Sequence, residues 1–151
     1  MLRAPNLIEK DINSKAPDDI ITLNYDDRYR RRIVMKTDNG IEFLLDLQKT
    51  TELTEGDFLV LEDGRVVEIK AAKEELMQVS AAEVSLITKA AWHIGNRHLP
   101  CEIYKDQINL RFDHVIKQML EGLGLIVKKI NKPFNPEGGA YGQGRTQGHQ
   151  H

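Results

Sequence analysis

Apolar and polar residues alternate in short runs through the first half of the chain, the two-residue period of strands with one buried face. The runs at 20–27 (IITLNYDD) and 30–37 (RRRIVMKT) are rich in β-branched residues. Asn39-Gly40, between the second run and IEFLLDL, is a two-residue hairpin signal. DFLVLEDGRVVEIK repeats the pattern with Asp63-Gly64 at its turn. No segment before residue 72 has helical spacing, so residues 1–72 predict a small antiparallel β-domain built from hairpins.

The period changes near AAKEE at 71–75. ELMQV reads as a strand, after which Ser80 and Glu83 stand three apart, as in a capping box at a helix start. Val84, Ile87, Ala91 and Ile94 follow at helical spacing, with Gly95 as the stop and Pro100 just beyond. CEIYKDQINLRF predicts two strands joined by a tight turn at 105–107. Asp113 is a good N-cap for HVIKQMLEGLG, whose apolar face is Ile116, Met119 and Leu123 and which stops at Gly122 or Gly124. LIVKKI is a last strand. The order β-α-β-β-α-β is that of a ferredoxin-like domain. The predicted fold class is therefore α+β: a β-domain at 1–72, a ferredoxin-like domain at 73–142, and a flexible tail at 143–151. Nothing after Tyr141 is apolar, so the tail has nothing to bury and is expected to be mobile.

Composition narrows the function classes. Hydrophobic residues at 40% and charged residues at 29% are ordinary for a soluble globular protein. The net charge of −2, with both signs mixed along the chain, predicts no nucleic-acid or membrane partner. No apolar run approaches the roughly 18–20 residues of a membrane span. Cys101 is the single cysteine, and the opening MLRAPNLIEKDINSK lacks the apolar stretch of a signal peptide. The expected location is the cytoplasm.

The five histidines are the remaining chemistry: His93, His98, His114, His149 and His151. His93 points away from the apolar stripe of its helix, and His98 lies past the helix end. His114 falls in the first turn of the second helix, opposite its apolar face. The positive end of the helix dipole disfavours imidazolium there and favours the neutral ring that a metal needs. His149 and His151, in GHQH, can reach one ion together, and imidazole suits zinc, copper, iron and nickel. Taken alone, each of the first three reads first as an ordinary exposed residue and second as a metal ligand. The terminal pair also reads as a plain polar terminus, and last as the remnant of an expression tag, since tags have longer consecutive histidine runs.

HExxH, CxxC, an EF-hand loop, GxGxxG and GxxxxGK[ST] are all missing, and no serine or cysteine has a base near it in sequence. Catalysis is poorly supported, and no enzyme is expected. One fixed histidine per chain is too weak for a buried metal, but a two-fold dimer presents the same histidine twice. Tail histidines then complete a shell that is open and easily dismantled, which suits handing a metal over.

HIGNRHLP at 93–100, FDHV at 112–115, MLEGLGL at 119–125 and PFNPEGGAYG at 133–142 occur in an order that resembles the UreE family of urease accessory proteins, the nickel metallochaperones of urease maturation. The resemblance covers nearly the whole chain. It implies a homodimer through the second domain, with His98 of both chains as shared ligand to Ni(II) carried as cargo. His149 and His151 match the histidine-bearing tail of many members. His114 and His93 match positions that carry histidine in some members, in accessory roles. The first domain resembles a peptide-binding module. Implied partners are other urease accessory proteins, including the nickel-handling GTPase, and apo-urease. Two departures reduce the expected ions per dimer: the tail has only two histidines, and Phe112 stands where some members carry another. Zn(II) and Cu(II) compete for any such imidazole site.

Arg28, Arg30, Arg31 and Arg32 read first as a solvated strand edge that discourages edge pairing, and second as a docking patch for an acidic partner. Cys101 reads as a half-buried core residue ahead of a metal thiolate, and Trp92 and Tyr104 read as packing residues. Asn96 and Arg97 either steer the His98 loop or contact a partner. Two other functions are open: a peptide-binding chaperone module with incidental metal binding, and a metal-dependent hydrolase that lacks a placed general base.

Overall fold

The computed structural model describes residues 1–8 and 16–138. The chain divides into two compact units, Met1–Ala72 and Lys73–His151.

The first unit holds seven strands: β1 Arg3–Ala4, β2 Asn6–Ile8, β3 Asp19–Leu23, β4 Tyr29–Lys36, β5 Glu42–Glu52, β6 Phe58–Val60 and β7 Val66–Ala71. They form two sheets, ordered β1-β5-β4 and β2-β6-β7-β3. The alternation seen in the sequence becomes one core shared by both sheets, with Phe43, Leu45, Leu59, Val67 and Ile69 fully buried. The unit is not wholly antiparallel. β1 runs parallel to β5, and β3 runs parallel to β7. These pairings join segments far apart in sequence, where no hairpin turn dictates direction.

Both predicted hairpin turns form, each with a wider loop than the two-residue type. The Gly40 N–H donates to the Thr37 carbonyl at 3.0 Å, and only Gly40 takes a positive φ, of 97°. That is a type I turn followed by a glycine in the left-handed position. The loop side chains explain the choice, because they reach β3. Asp19, buried at the start of β3, accepts from Thr37 Oγ1 (2.6 Å), Asn39 Nδ2 (2.8 Å) and the Ile20 N–H (2.7 Å). The β4–β5 turn is thereby fastened to the second sheet.

The Thr37 hydroxyl is the main cause, with the Ile20 N–H and Asn39 amide behind it, that holds the Asp19 carboxyl below its usual range despite burial. A carboxyl depressed in the folded state stabilises the fold above its unfolded value, near 3.9, and loses that contribution as pH falls through the folded value. Asp19→Asn is expected to lower the thermal midpoint of this unit at pH 7 and to flatten its acid loss. Thermal unfolding of both proteins between pH 2 and 7 checks this; parallel profiles would refute the fastening role.

The arginine cluster divides. Arg28, in the short 3-10 turn Asp26–Arg28, is buried, with Nη1 donating to the Leu23 carbonyl at 3.1 Å. Arg30 pairs with Asp27 at 2.7 Å. Only Arg31 and Arg32 are exposed on the edge strand β4, so the solvated-edge reading applies to those two.

The second unit runs β8 Lys73–Ser80, α1 Val84–Asn96, β9 Glu102–Ile103, β10 Gln107–Arg111, α2 His114–Gly122 and β11 Ile126–Pro133. Its strand order is β11-β8-β10-β9, antiparallel throughout, the ferredoxin-like arrangement. Ile87, Ala90 and Ile94 of α1 and Leu120 of α2 pack on Met77, Val79, Ile108 and Leu110 of the sheet. The helices therefore cover one sheet face. Two details depart from the sequence reading. Ser80 ends β8, opposite Gln107 and Ile126, so no capping box forms; α1 begins after Glu83 without a side-chain cap. Val84 is exposed, and Ala90 takes its place in the buried stripe. Asp113 caps α2 as expected, accepting from the Val115 and Ile116 N–H groups at 2.9 and 3.0 Å.

No helix among the described residues is long and apolar enough to cross a membrane.

Candidate metal site

Helix α1 runs one residue past Gly95 and leaves through Arg97 and His98. The His98 N–H donates to the Gly95 carbonyl (3.0 Å) and the Leu99 N–H to the Ile94 carbonyl (3.2 Å). These are the paired bonds of a Schellman turn. Helix α2 ends in the same way, with the Gly124 N–H on the Glu121 carbonyl (3.0 Å) and the Leu125 N–H on the Leu120 carbonyl (3.1 Å). In α2 the left-handed residue is Gly124, at φ 98°. In α1 it is His98, at φ 57°, the one non-glycine residue with positive φ among the described residues. A Cβ in this conformation costs about 1–2 kcal/mol. Histidine tolerates it better than most residues, but glycine would relieve it.

Packing holds this turn in place. Ile94 is fully buried, and Leu99 packs against the same cluster. Arg97 Nη1 donates to the His93 carbonyl at 3.1 Å, a bond across the last turn of α1. The His98 side chain is exposed at the end of a rigid backbone path.

His93 and His114 are placed differently. His93 is half-buried on the last turns of α1, edge-on to Trp92 with ring centroids 5.0 Å apart. His114 is the first residue of α2, exposed and edge-on to Phe112 at 4.9 Å. A small groove lies between Leu99–Pro100, just after His98, and Asp113–Ile116, which flank His114. Neither imidazole lines it. His149 and His151 lie outside the described residues. Among the described residues, no three His, Cys, Asp or Glu side chains gather where one ion could be held. His98, His93 and His114 therefore do not belong to a three-residue ligand cluster among the described residues.

Burial, then the charges of Glu137 and Glu102, push the Cys101 thiol above its usual range. It stands as a half-buried thiol beside the helix-side core. Trp92 is 63% exposed, and Tyr104 is exposed with its hydroxyl on Glu102 Oε1 at 3.3 Å.

Sequence reasoning passed over Glu102 and Asn109. Both are buried, and Asn109 Nδ2 donates to Glu102 Oε1 at 3.1 Å. The available signal was an asparagine between Ile108 and Leu110 in the middle of a short strand.

The arrangement defines a class first: an α+β protein with paired β-sheets followed by a ferredoxin-like unit with His98 and His114 exposed. Comparison with known proteins narrows this. Residues 3–72 match the N-terminal domain of the UreE urease accessory protein, and residues 74–151 match its C-terminal domain. The chain belongs to the UreE urease accessory protein family. It is 53% identical over 133 residues to the urease accessory protein UreE of Chelativorans sp. (strain BNC1), covering 88% of this chain and 84% of the relative. Identity to that of Cereibacter sphaeroides is 51% over 131 residues, 87% and 70% of the two chains. Identity to that of Rhodopseudomonas palustris (strain BisB18) is 44% over all 151 residues, 72% of the relative.

Proposed function

We propose that the chain is a carrier, not a catalyst, which takes up Ni(II) as cargo and delivers it during urease maturation in the cytoplasm. Membership of the UreE family supports the maturation role. One observation carries the metal-binding part: His98 occupies the left-handed turn position that glycine fills in α2, so the fold accepts strain to present an exposed imidazole there. A homodimer brings two copies of His98 to one axis, because an isologous interface presents the same patch twice. His149 and His151 complete the shell, with His114 and His93 as accessory donors. Such a site exchanges metal readily, as delivery to apo-urease and to the nickel-handling GTPase requires.

Neutral imidazole is the ligand form, so protons compete with the metal at any such site. Calorimetric titration with Ni(II) tests the assignment of roles. Removing residues 148–151 is expected to weaken binding or lower the stoichiometry without abolishing it. Complete loss of nickel binding in the truncated chain would move the tight site into the tail.

A further inference from the structure

The left-handed turn at His98 is strained, and such a conformation persists only where its surroundings fix it. On the helix side, the Leu99 N–H on the Ile94 carbonyl and the packing of both residues supply one anchor. On the far side the chain passes through Pro100 to Cys101 and β9. A proline fixes its own φ near about −65° and biases the residue before it toward extended backbone, so the link from the turn to Cys101 is stiff. That stiffness is useful only if the far end is held. β9 has only two residues and lies at an edge of the sheet, so its pairing with β10 alone is a weak hold.

The additional hold comes from the residues after β11. That strand is the opposite edge of the sheet, yet the chain that leaves it at Pro133 bonds to the β9 side. Phe134 is fully buried. The Asn135 N–H donates to Glu102 Oε2 (2.8 Å), and the Glu137 N–H donates to the Cys101 carbonyl (2.8 Å). Residues 134–137 therefore cross the sheet from one edge to the other. Glu102 and Asn109 are register partners, so they share the sheet face opposite Ile108 and Leu110, which pack toward the helices. The Asn109 amide and Tyr104 hydroxyl hold Glu102 Oε1, leaving Oε2 for the Asn135 N–H. Asn109 Oδ1 is buried and has no hydrogen-bond partner among the described residues. An apolar side chain would avoid that loss, but it could not orient the carboxylate.

We propose that Glu102, oriented by Asn109, is a positioning residue for His98. Its carboxylate and the Cys101 carbonyl tie residues 135–137 to the start of β9, and the stiff segment 99–101 passes that constraint to the turn. Cys101 follows His98 by three residues, a span of at most about 11 Å, so little chain is left to absorb a displacement. The His98 imidazole is then presented from a backbone anchored on both sides. A ligand shared across a two-fold axis needs this, because any drift of one copy is repeated in the other. The inference rests on the reading that His98 holds the nickel ion.

Amide hydrogen exchange without metal, and nickel affinity by competition with a chromophoric chelator, test it in the full chain. In Glu102→Ala the Asn135 and Glu137 amides are expected to exchange faster, and the His98 and Leu99 amides with them. The amides of Met77 and Val79, in the central strand β8, keep their protection. Nickel affinity falls about tenfold, the low end of the cost of losing a partner that orients a metal ligand. Glu102→Gln should retain the turn and the affinity, because its oxygen still accepts from Asn135 and its amide can donate to Asn109 Oδ1 once that side chain flips. Asn135→Pro removes the bonded N–H and leaves Glu102 in place, so it should reproduce the loss if Glu102→Ala fails to fold. Unchanged exchange at His98 and Leu99 despite deprotected Asn135 and Glu137 would overturn the proposal. An equal rise at Met77 and Val79 would overturn it too, since Glu102 would then act on the stability of the whole unit. If His98→Gly loses the ion and Glu102→Ala keeps wild-type affinity, this inference fails alone. If His98→Gly also keeps wild-type affinity, the His98 reading of the proposed function fails and takes this inference with it.

Discussion

Replacing His98 with glycine is expected to lower nickel affinity at least about a hundredfold while leaving α1 no less stable than before. The two effects have separate causes. Loss of a partner that merely orients a metal ligand costs about 10–100-fold in affinity, and losing the ligand itself from both chains costs more. The backbone, by contrast, sits at φ 57°, where glycine has no Cβ penalty. Relief of the left-handed strain, offset by the greater entropy of glycine in the unfolded chain, leaves a gain of up to about 1 kcal/mol. His98→Ala should lose the metal equally but keep the strain. Chelator competition measures the first effect and urea unfolding the second. A glycine variant less stable than the wild type would show that the imidazole, and not the turn, holds this end of the helix.

Ile94→Ala has the largest expected effect on the second unit, about 2–5 kcal/mol of stability. Ile94 is fully buried in the helix-side core, and its carbonyl accepts the Leu99 N–H that closes the turn around His98. Removing three carbons leaves a cavity under α1 and loosens the turn from below. Nickel affinity should therefore fall although no ligand has been touched. Ile94→Val, which removes one methylene, should cost about 0.5–1.5 kcal/mol. Trp92, the chain's one tryptophan, lies in the same helix and reports its unfolding, with circular dichroism as a second probe. A loss below about 1 kcal/mol for Ile94→Ala would mean that the turn is not anchored through the core.

The second unit was the more legible half of the sequence because each of its elements carries its own period. The helices, the strands and the Asp113 cap can be read from residues near one another, and their β-α-β-β-α-β order leads directly to the sheet. Ser80 misled because the strand before it claimed the residue that local spacing offered as a cap. In the first unit, the parallel pairings of β1 with β5 and β3 with β7 depend on partners distant in sequence, which local alternation does not encode. Arg28 shows the same limit: a run of arginines reads as surface, yet one of them is buried under the turn that follows β3.

The site was legible as a set of residue types and much less as geometry. Gly95 looked like the helix stop, and only the backbone shows the helix continuing to Asn96, with His98 in the left-handed position. A Schellman turn with no glycine at its left-handed position leaves no mark in composition. The route of residues 134–137 across the sheet was equally hidden, since it depends on the buried Glu102 carboxylate and on which edge β9 occupies.

Size-exclusion chromatography with light scattering and metal quantification, run with and without Ni(II), tests the central claim most directly. A dimer that retains one tightly held nickel ion per two chains, with the ion lost in His98→Gly and the dimer kept, is the predicted result. A monomer that holds nickel tightly, or a His98→Gly dimer that retains the ion, would contradict the shared His98 site.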